Sequence, residues 1–124
     1  MKTTEAYTVE HGEQINKDLD RLVRKKKFTS LPSQIHEIGK LLGKGEFQGV
    51  KIAQYDIPKP HEIYKLRLPN PDTNVGKSNG YRLFYLVLPQ DHVVILLAIY
   101  YKKEKETLVD TYIDGLIAKC FLNN

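Results

Sequence analysis

The chain reads as an α+β domain: an N-terminal helical hairpin packed on an antiparallel sheet, followed by a C-terminal helix. Three observations predict this. Apolar residues recur at helical spacing over residues 13–42 and again over 103–122. Between these segments lie three runs with strand character. Turn-forming Pro, Gly, Asn and Asp residues separate the runs.

Residues 4–9 are short enough to add one N-terminal strand. Over residues 13–27, Ile15, Leu19, Leu22 and Val23 form one stripe among charged residues, the pattern of an amphipathic helix. Residues 30–42 form the second helix. Ser30 is its expected cap, Pro32 sits in its first turn, and Ile35, Ile38, Leu41 and Leu42 make its apolar face. Gly43-Lys-Gly45 ends it. Strands follow at 62–68, 80–88 and 93–100. The last, Val-Val-Ile-Leu-Leu-Ala-Ile-Tyr, is apolar on both faces and belongs inside a sheet. Pro89-Gln-Asp-His92 joins the last two strands as a hairpin. Residues 69–79, with two prolines and Gly76, form a long loop between the first two. The final helix, 103–122, repeats apolar pairs from Leu108 to Phe121 and is weakened by Gly115.

The length of 124 residues suits one domain. With 41% hydrophobic and 27% charged residues, the composition is that of a folded globular chain. The longest apolar run, from Val93, is far too short for a bilayer. No leader-like segment opens the chain, and Cys120 is its single cysteine. A reducing, cytoplasmic setting is expected, with no disulfide framework. His11, His36, His61 and His92 are scattered without metal-ligand spacing, so neither metal nor cofactor is expected. Gly76-Lys77-Ser78 is not a phosphate-binding P-loop, because the glycine that motif needs five residues earlier is Pro71.

The net charge of +4 acquires meaning from its distribution. In Glu62-Ile-Tyr-Lys-Leu-Arg-Leu68, a two-residue period sets Lys65 and Arg67 on one face, with Tyr64, Leu66 and Leu68 on the other. In the next strand, Arg82 shares a face with Phe84 and Leu86, and pairing of the two strands brings it beside Lys65 and Arg67. Arginine can clamp a phosphate with two parallel hydrogen bonds. The third strand leads into Tyr100-Tyr101-Lys102-Lys103, where tyrosines can stack on bases and lysines can neutralise phosphate. The run Arg24-Lys-Lys-Lys27 complements the end of its helix.

Three segments in this order resemble the C-terminal half of the RelE/ParE superfamily toxins, most closely the RelE- and HigB-like members. They are Ile63-Tyr-Lys-Leu-Arg-Leu68, Gly76-Lys-Ser-Asn-Gly-Tyr-Arg-Leu-Phe-Tyr85 and Ile99-Tyr-Tyr-Lys-Lys-Glu104. The resemblance implies the toxin of a toxin–antitoxin module: a metal-independent endoribonuclease that cuts mRNA, commonly on the translating ribosome, and is held inactive by a cognate antitoxin. It carries Lys65, Arg67, Arg82 and Lys103 over as catalytic residues. Lys77, Ser78, Tyr100, Tyr101 and Lys102 become RNA contacts.

The chemistry fits these residue types. Cleavage requires deprotonation of a 2′-hydroxyl, stabilisation of a phosphorane and protonation of the leaving 5′-oxygen. Cationic neighbours favour the neutral amine of Lys65 and thereby its use as a base. Arg67 and Arg82 suit the phosphorane, and Lys103, Lys102 or Tyr100 the leaving group. The chain departs from the family pattern in two respects: some ribosome-dependent relatives carry a tyrosine early in the last helix, where this chain has Leu108 and Val109, and the loop Asn70 to Ser78 is longer than in the most compact relatives. Two other functions fit the fold class. A gyrase-poisoning member of the superfamily usually lacks the basic cluster, and a non-catalytic RNA- or partner-binding module would retain it without cleavage.

Overall fold

The computed structural model describes residues 6–53, 57–104 and 110–122, with side chains of the last segment described from 113 to 120. Strand β1 (Thr8–His11) leads into helix α1 (Glu13–Asp20), which widens into a π-helical turn over Arg21–Lys25. Helix α2 (Leu31–Gly43), the two-residue strand β2 (Val50–Lys51) and strand β3 (Glu62–Leu68) follow. Two short 3-10 turns, Pro71–Thr73 and Lys77–Asn79, precede β4 (Tyr81–Leu88), β5 (Val93–Tyr101) and helix α3 (Asp110–Leu122).

The strands form one sheet in the order β1-β5-β4-β3-β2. The meander β3-β4-β5 is antiparallel, as the sequence predicts. β1 lies parallel to β5, which makes the sheet mixed. Strand alternation then sorts the core into two layers. On one face, Ile15, Leu22, Leu31, Ile35 and Leu42 of the helical segments pack against Leu68, Tyr81, Leu83, Tyr85, Val94, Leu96 and Ile99. On the other, Ile113 and Ile117 of α3 cover Ile63, Phe84, Leu86, Leu97 and Ala98. β4 is buried from Tyr81 to Val87 because both faces are covered.

Several predicted boundaries change. The N-terminal strand begins at Thr8 and not at residue 4, which lies outside the described residues. The first helix loses α geometry after Asp20, and Lys27 takes a left-handed conformation (φ 64°) that stops it. Ser30 does not cap α2 with its own side chain. Instead, the Asp72 carboxylate accepts from Ser30 N (3.0 Å) and Ser30 Oγ (3.1 Å), so the loop caps the helix. Lys103 stands in a turn that closes through Glu104 N to Tyr101 O (2.9 Å), outside α3. The stretch 105–109, including Leu108 and Val109, lies outside the described residues. β2 escapes sequence reading because two residues carry no alternation. It forms where Gly49, at φ 93°, lets the chain lie against Lys65 O, a space any Cβ would fill.

One buried carboxylate joins α1 to the sheet. β1 stops pairing where Gly12 N donates to Leu96 O, leaving the edge of β5 open beyond that point. Asp18 reaches it: Oδ2 accepts from Ile99 N (3.0 Å), and Oδ1 from Gln14 Nε2 (2.9 Å) and Arg21 Nη1 (3.1 Å). Substituting Asp18→Ala should cost about 1–3 kcal/mol, because it strands a buried N–H. Urea unfolding of the two proteins checks this; Asp18→Asn, which keeps an acceptor, should lose less.

Candidate nucleic-acid interface

The strand register builds a row of cations. Arg67 lies directly opposite Arg82 across the β3–β4 ladder, and Arg82 opposite Tyr100 across β4–β5. Lys65 faces Phe84, one step along the same side of the sheet. This is the side that α3 covers, but the apolar contacts of Ile113 and Ile117 involve Ile63, Phe84, Leu86, Leu97 and Ala98. Arg67 remains exposed, and Lys65 and Tyr100 are half-buried. The Tyr100 ring stacks on Phe84, with centroids 6.3 Å apart.

Arg82 is the buried member, with 6% of its surface exposed. Its side chain folds back onto the 3-10 turn that precedes β4. Nη1 donates to Lys77 O (3.0 Å) and Tyr81 O (3.2 Å), and Nη2 to Ser78 O (2.8 Å). The guanidinium thereby adds a donor to the carbonyls at the end of the turn, of which Lys77 O also accepts from Gly80 N (3.5 Å). Gly80 lets the turn lie against the end of β3, since a Cβ there would collide with Leu68 O. All three acceptors are neutral. Among the described residues, neither Arg82 nor Arg67 forms a salt bridge. Burial, and then the charge of Arg67, draw the Arg82 pKa below the usual guanidinium value against an opposing effect of Tyr100. Like charges directly opposite in a sheet are destabilising. A buried guanidinium without a carboxylate is a standing cost that a bound anion would relieve.

A second cationic segment joins the row. Lys102 Nζ donates to the same Ser78 O (3.2 Å), and Lys102 N to Gly80 O (2.9 Å). The two loops before and after the β4–β5 hairpin are therefore fastened together, with Lys77, Ser78, Lys102 and Lys103 all exposed around them. Among the described residues no group of three His, Cys, Asp or Glu could hold a metal ion, and no helix is long and apolar enough to cross a membrane.

No family model matches the sequence, and no curated protein matches it. Among solved structures, the chain is similar to Escherichia coli toxin RelE in the free state, solved as a double arginine-to-alanine mutant. The identity is 20%, the match covers 94% of this chain and 99% of that one, and the TM-score is 0.49. It is also similar to the archaeal RelE–RelB complex from Pyrococcus horikoshii, at 18% identity, with 81% of this chain and 99% of that one covered and a TM-score of 0.45.

Of the residues singled out from sequence, the structure brings Lys65, Arg67, Arg82 and Tyr100 onto one side of the sheet and sets Lys77, Ser78, Lys102 and Lys103 in the adjoining loops. It does not bring Tyr101 there. Tyr101 points to the opposite face, is buried, and packs at 5.2 Å from the Phe28 ring, with its hydroxyl 3.2 Å from Thr73 Oγ1. Sequence reading missed Glu104 and Arg21, whose side chains meet beside the Lys102–Lys103 turn with Arg21 Nη2 2.8 Å from Glu104 Oε1. Burial raises the Glu104 pKa, but hydrogen bonds from Arg21 and Tyr101 N, with the charges of Arg21 and Lys26, outweigh it and hold the carboxyl below its usual range. The separation of 83 residues hides this pair from any local pattern.

The two arginines should respond oppositely to substitution. Arg82→Met removes three hydrogen bonds from a charged donor and should cost about 1–3 kcal/mol. Arg67→Met removes an exposed, repelled charge and should leave stability within about 0.5 kcal/mol of wild type, or raise it. Denaturant unfolding at neutral pH distinguishes the two.

Proposed function

We propose that this protein is the RNA-cleaving toxin of a toxin–antitoxin pair, with the Arg67–Arg82 row as its phosphate site. The observation that carries the reading is the buried Arg82, which has no carboxylate partner among the described residues, set against a second arginine. A folded protein retains such a repulsion where a ligand offsets it, and a phosphodiester has the required charge and geometry. The three sequence segments resembling RelE- and HigB-like toxins supply the residues of this same site. That agreement between motif and geometry supports RNA over other polyanions.

The residues divide the work. Lys65 takes the proton of the 2′-hydroxyl as its oxygen attacks phosphorus. Arg67 contacts the equatorial phosphate oxygens, which gain charge in the transition state. Arg82 has three of its five N–H donors committed to carbonyls, so it acts mainly as fixed charge behind Arg67 and as the staple of the turn. The 5′-oxygen leaves with a proton from Lys103, Lys102 or Tyr100. The products are a 2′,3′-cyclic phosphate and a 5′-hydroxyl end. Tyr100 is the tyrosine available beside the row to stack on a base.

The substrate in this reading is mRNA on the ribosome, and the inhibitor is a cognate antitoxin. Acidic residues of the antitoxin would neutralise the cation row. An apolar hollow of about 460 Å³, lined by Val9, Leu19, Val23, Ile35 and Leu96, offers its hydrophobic segment a seat.

Primer extension on a reporter mRNA in a cell-free translation reaction tests the proposal. Wild type should produce new cuts, and Arg67→Ala, which keeps the fold, should lose them by about 100-fold or more, the scale of one removed transition-state donor. Cuts on naked RNA would remove the ribosome from the reading. Arrest of growth with accumulated cleaved DNA would point to gyrase poisoning, and RNA binding without cleavage to a binding module.

A further inference from the structure

We infer that Glu104 and Arg21 are positioning residues that hold the Lys102–Lys103 turn against the Arg67–Arg82 row; this rests on the ribonuclease reading above. The turn carries two exposed lysines whose long side chains need a fixed base if either is to meet one phosphate oxygen. Four contacts supply that base. Glu104 N donates to Tyr101 O (2.9 Å), and in return Glu104 Oε1 accepts from Tyr101 N (3.3 Å), closing the turn from both ends. Lys102 N donates to Gly80 O (2.9 Å) and its Nζ to Ser78 O (3.2 Å), which fasten the turn to the loop that Arg82 staples.

A further contact comes from the other side of the molecule. Arg21 grips Glu104 with two donors, Nη2 to Oε1 (2.8 Å) and Nε to Oε2 (3.4 Å). Its remaining arm, Nη1, is fixed by Asp18 (3.1 Å), whose second oxygen holds Ile99 N (3.0 Å), two residues before the Glu104-bound amide of Tyr101. Arg21 thus spans two carboxylates, both anchored on β5. The planar guanidinium suits this bridging, since its donors are fixed relative to one another. Charge adds a second effect. Glu104 is an acidic residue beside the cation row, and Arg21 pairs with its charge, so the carboxylate can shape the turn without cancelling the field of Lys102 and Lys103.

The test measures single-turnover cleavage in the reaction that shows wild-type cuts, together with the amide resonances of Lys102 and Lys103. Glu104→Gln and Arg21→Gln should each lower the cleavage rate constant about 10- to 100-fold while changing the half-saturating substrate concentration less than about 3-fold, the split expected of misplaced catalytic groups. Both lysine amides should move. Arg21→Lys, which keeps the charge, should recover part of the rate. All assays run well below each variant's melting temperature, so unfolding does not enter. A Glu104→Gln protein that cleaves within about 3-fold of wild type overturns the inference. So does equal loss of rate and affinity. A wild type that fails to cleave instead overturns the ribonuclease reading, and the wild-type control separates that result from the others.

Discussion

The structure turns on a guanidinium that is almost dry and has no carboxylate partner among the described residues. Arg82 is the second residue of the central strand, and its charge rests on two carbonyl oxygens of the turn before it and on that of Tyr81. Those contacts decide where the loop from β3 ends and where β4 starts. They also define Ser78 O, the atom to which Lys102 is attached from the far end of β5. The register follows: Arg67 on one side of Arg82 and Tyr100 on the other. In the proposed function the arginine offers a ligand a fixed positive charge at the lip of a core, where the low dielectric strengthens its field.

The three-layer arrangement makes this exposure possible. α1 and α2 occupy one face of the sheet, so the buried aromatic residues Tyr81, Tyr85 and Tyr101 all turn that way. α3 contributes Ile113 and Ile117 to the other face, against residues near the middle of β4 and β5. The apolar half of that face is thereby closed, while Lys65, Arg67 and Tyr100 retain access to solvent. Asp18 and Arg21 tie the first layer to the edge of β5, and through Glu104 to the turn that completes the cation row. One network thus serves both stability and the shape of the candidate site.

Much of this was legible in the sequence because strand alternation is a strict code. A period of two placed Lys65 and Arg67 together, and Arg82 with Phe84, and the observed ladder puts these sets on one side. The same code explains the misplacement of Tyr101. Adjacent residues in a strand face opposite ways, so Tyr100 and Tyr101 could not both join the cations. β5 runs one residue further than expected and, past an irregularity at Leu97, alternates from Ala98 to its end. Three features were not legible. The parallel pairing of β1 depends on contacts about 85 residues apart. The Arg21–Glu104 pair joins a helix to a distant turn. The capping of α2 by Asp72 substitutes a loop carboxylate for the local Ser30 that a cap rule selects.

The most direct measurement follows the two arginines themselves. The protein, with ¹⁵N-labelled arginine side chains, is titrated with a short RNA whose 2′-hydroxyls are methylated, so that it binds without being cut. Saturable, concerted movement of the Arg67 and Arg82 Nε–H resonances, suppressed by added salt, is the predicted result. Binding that leaves both resonances in place while other side chains respond would contradict the assignment of the cation row as the phosphate site.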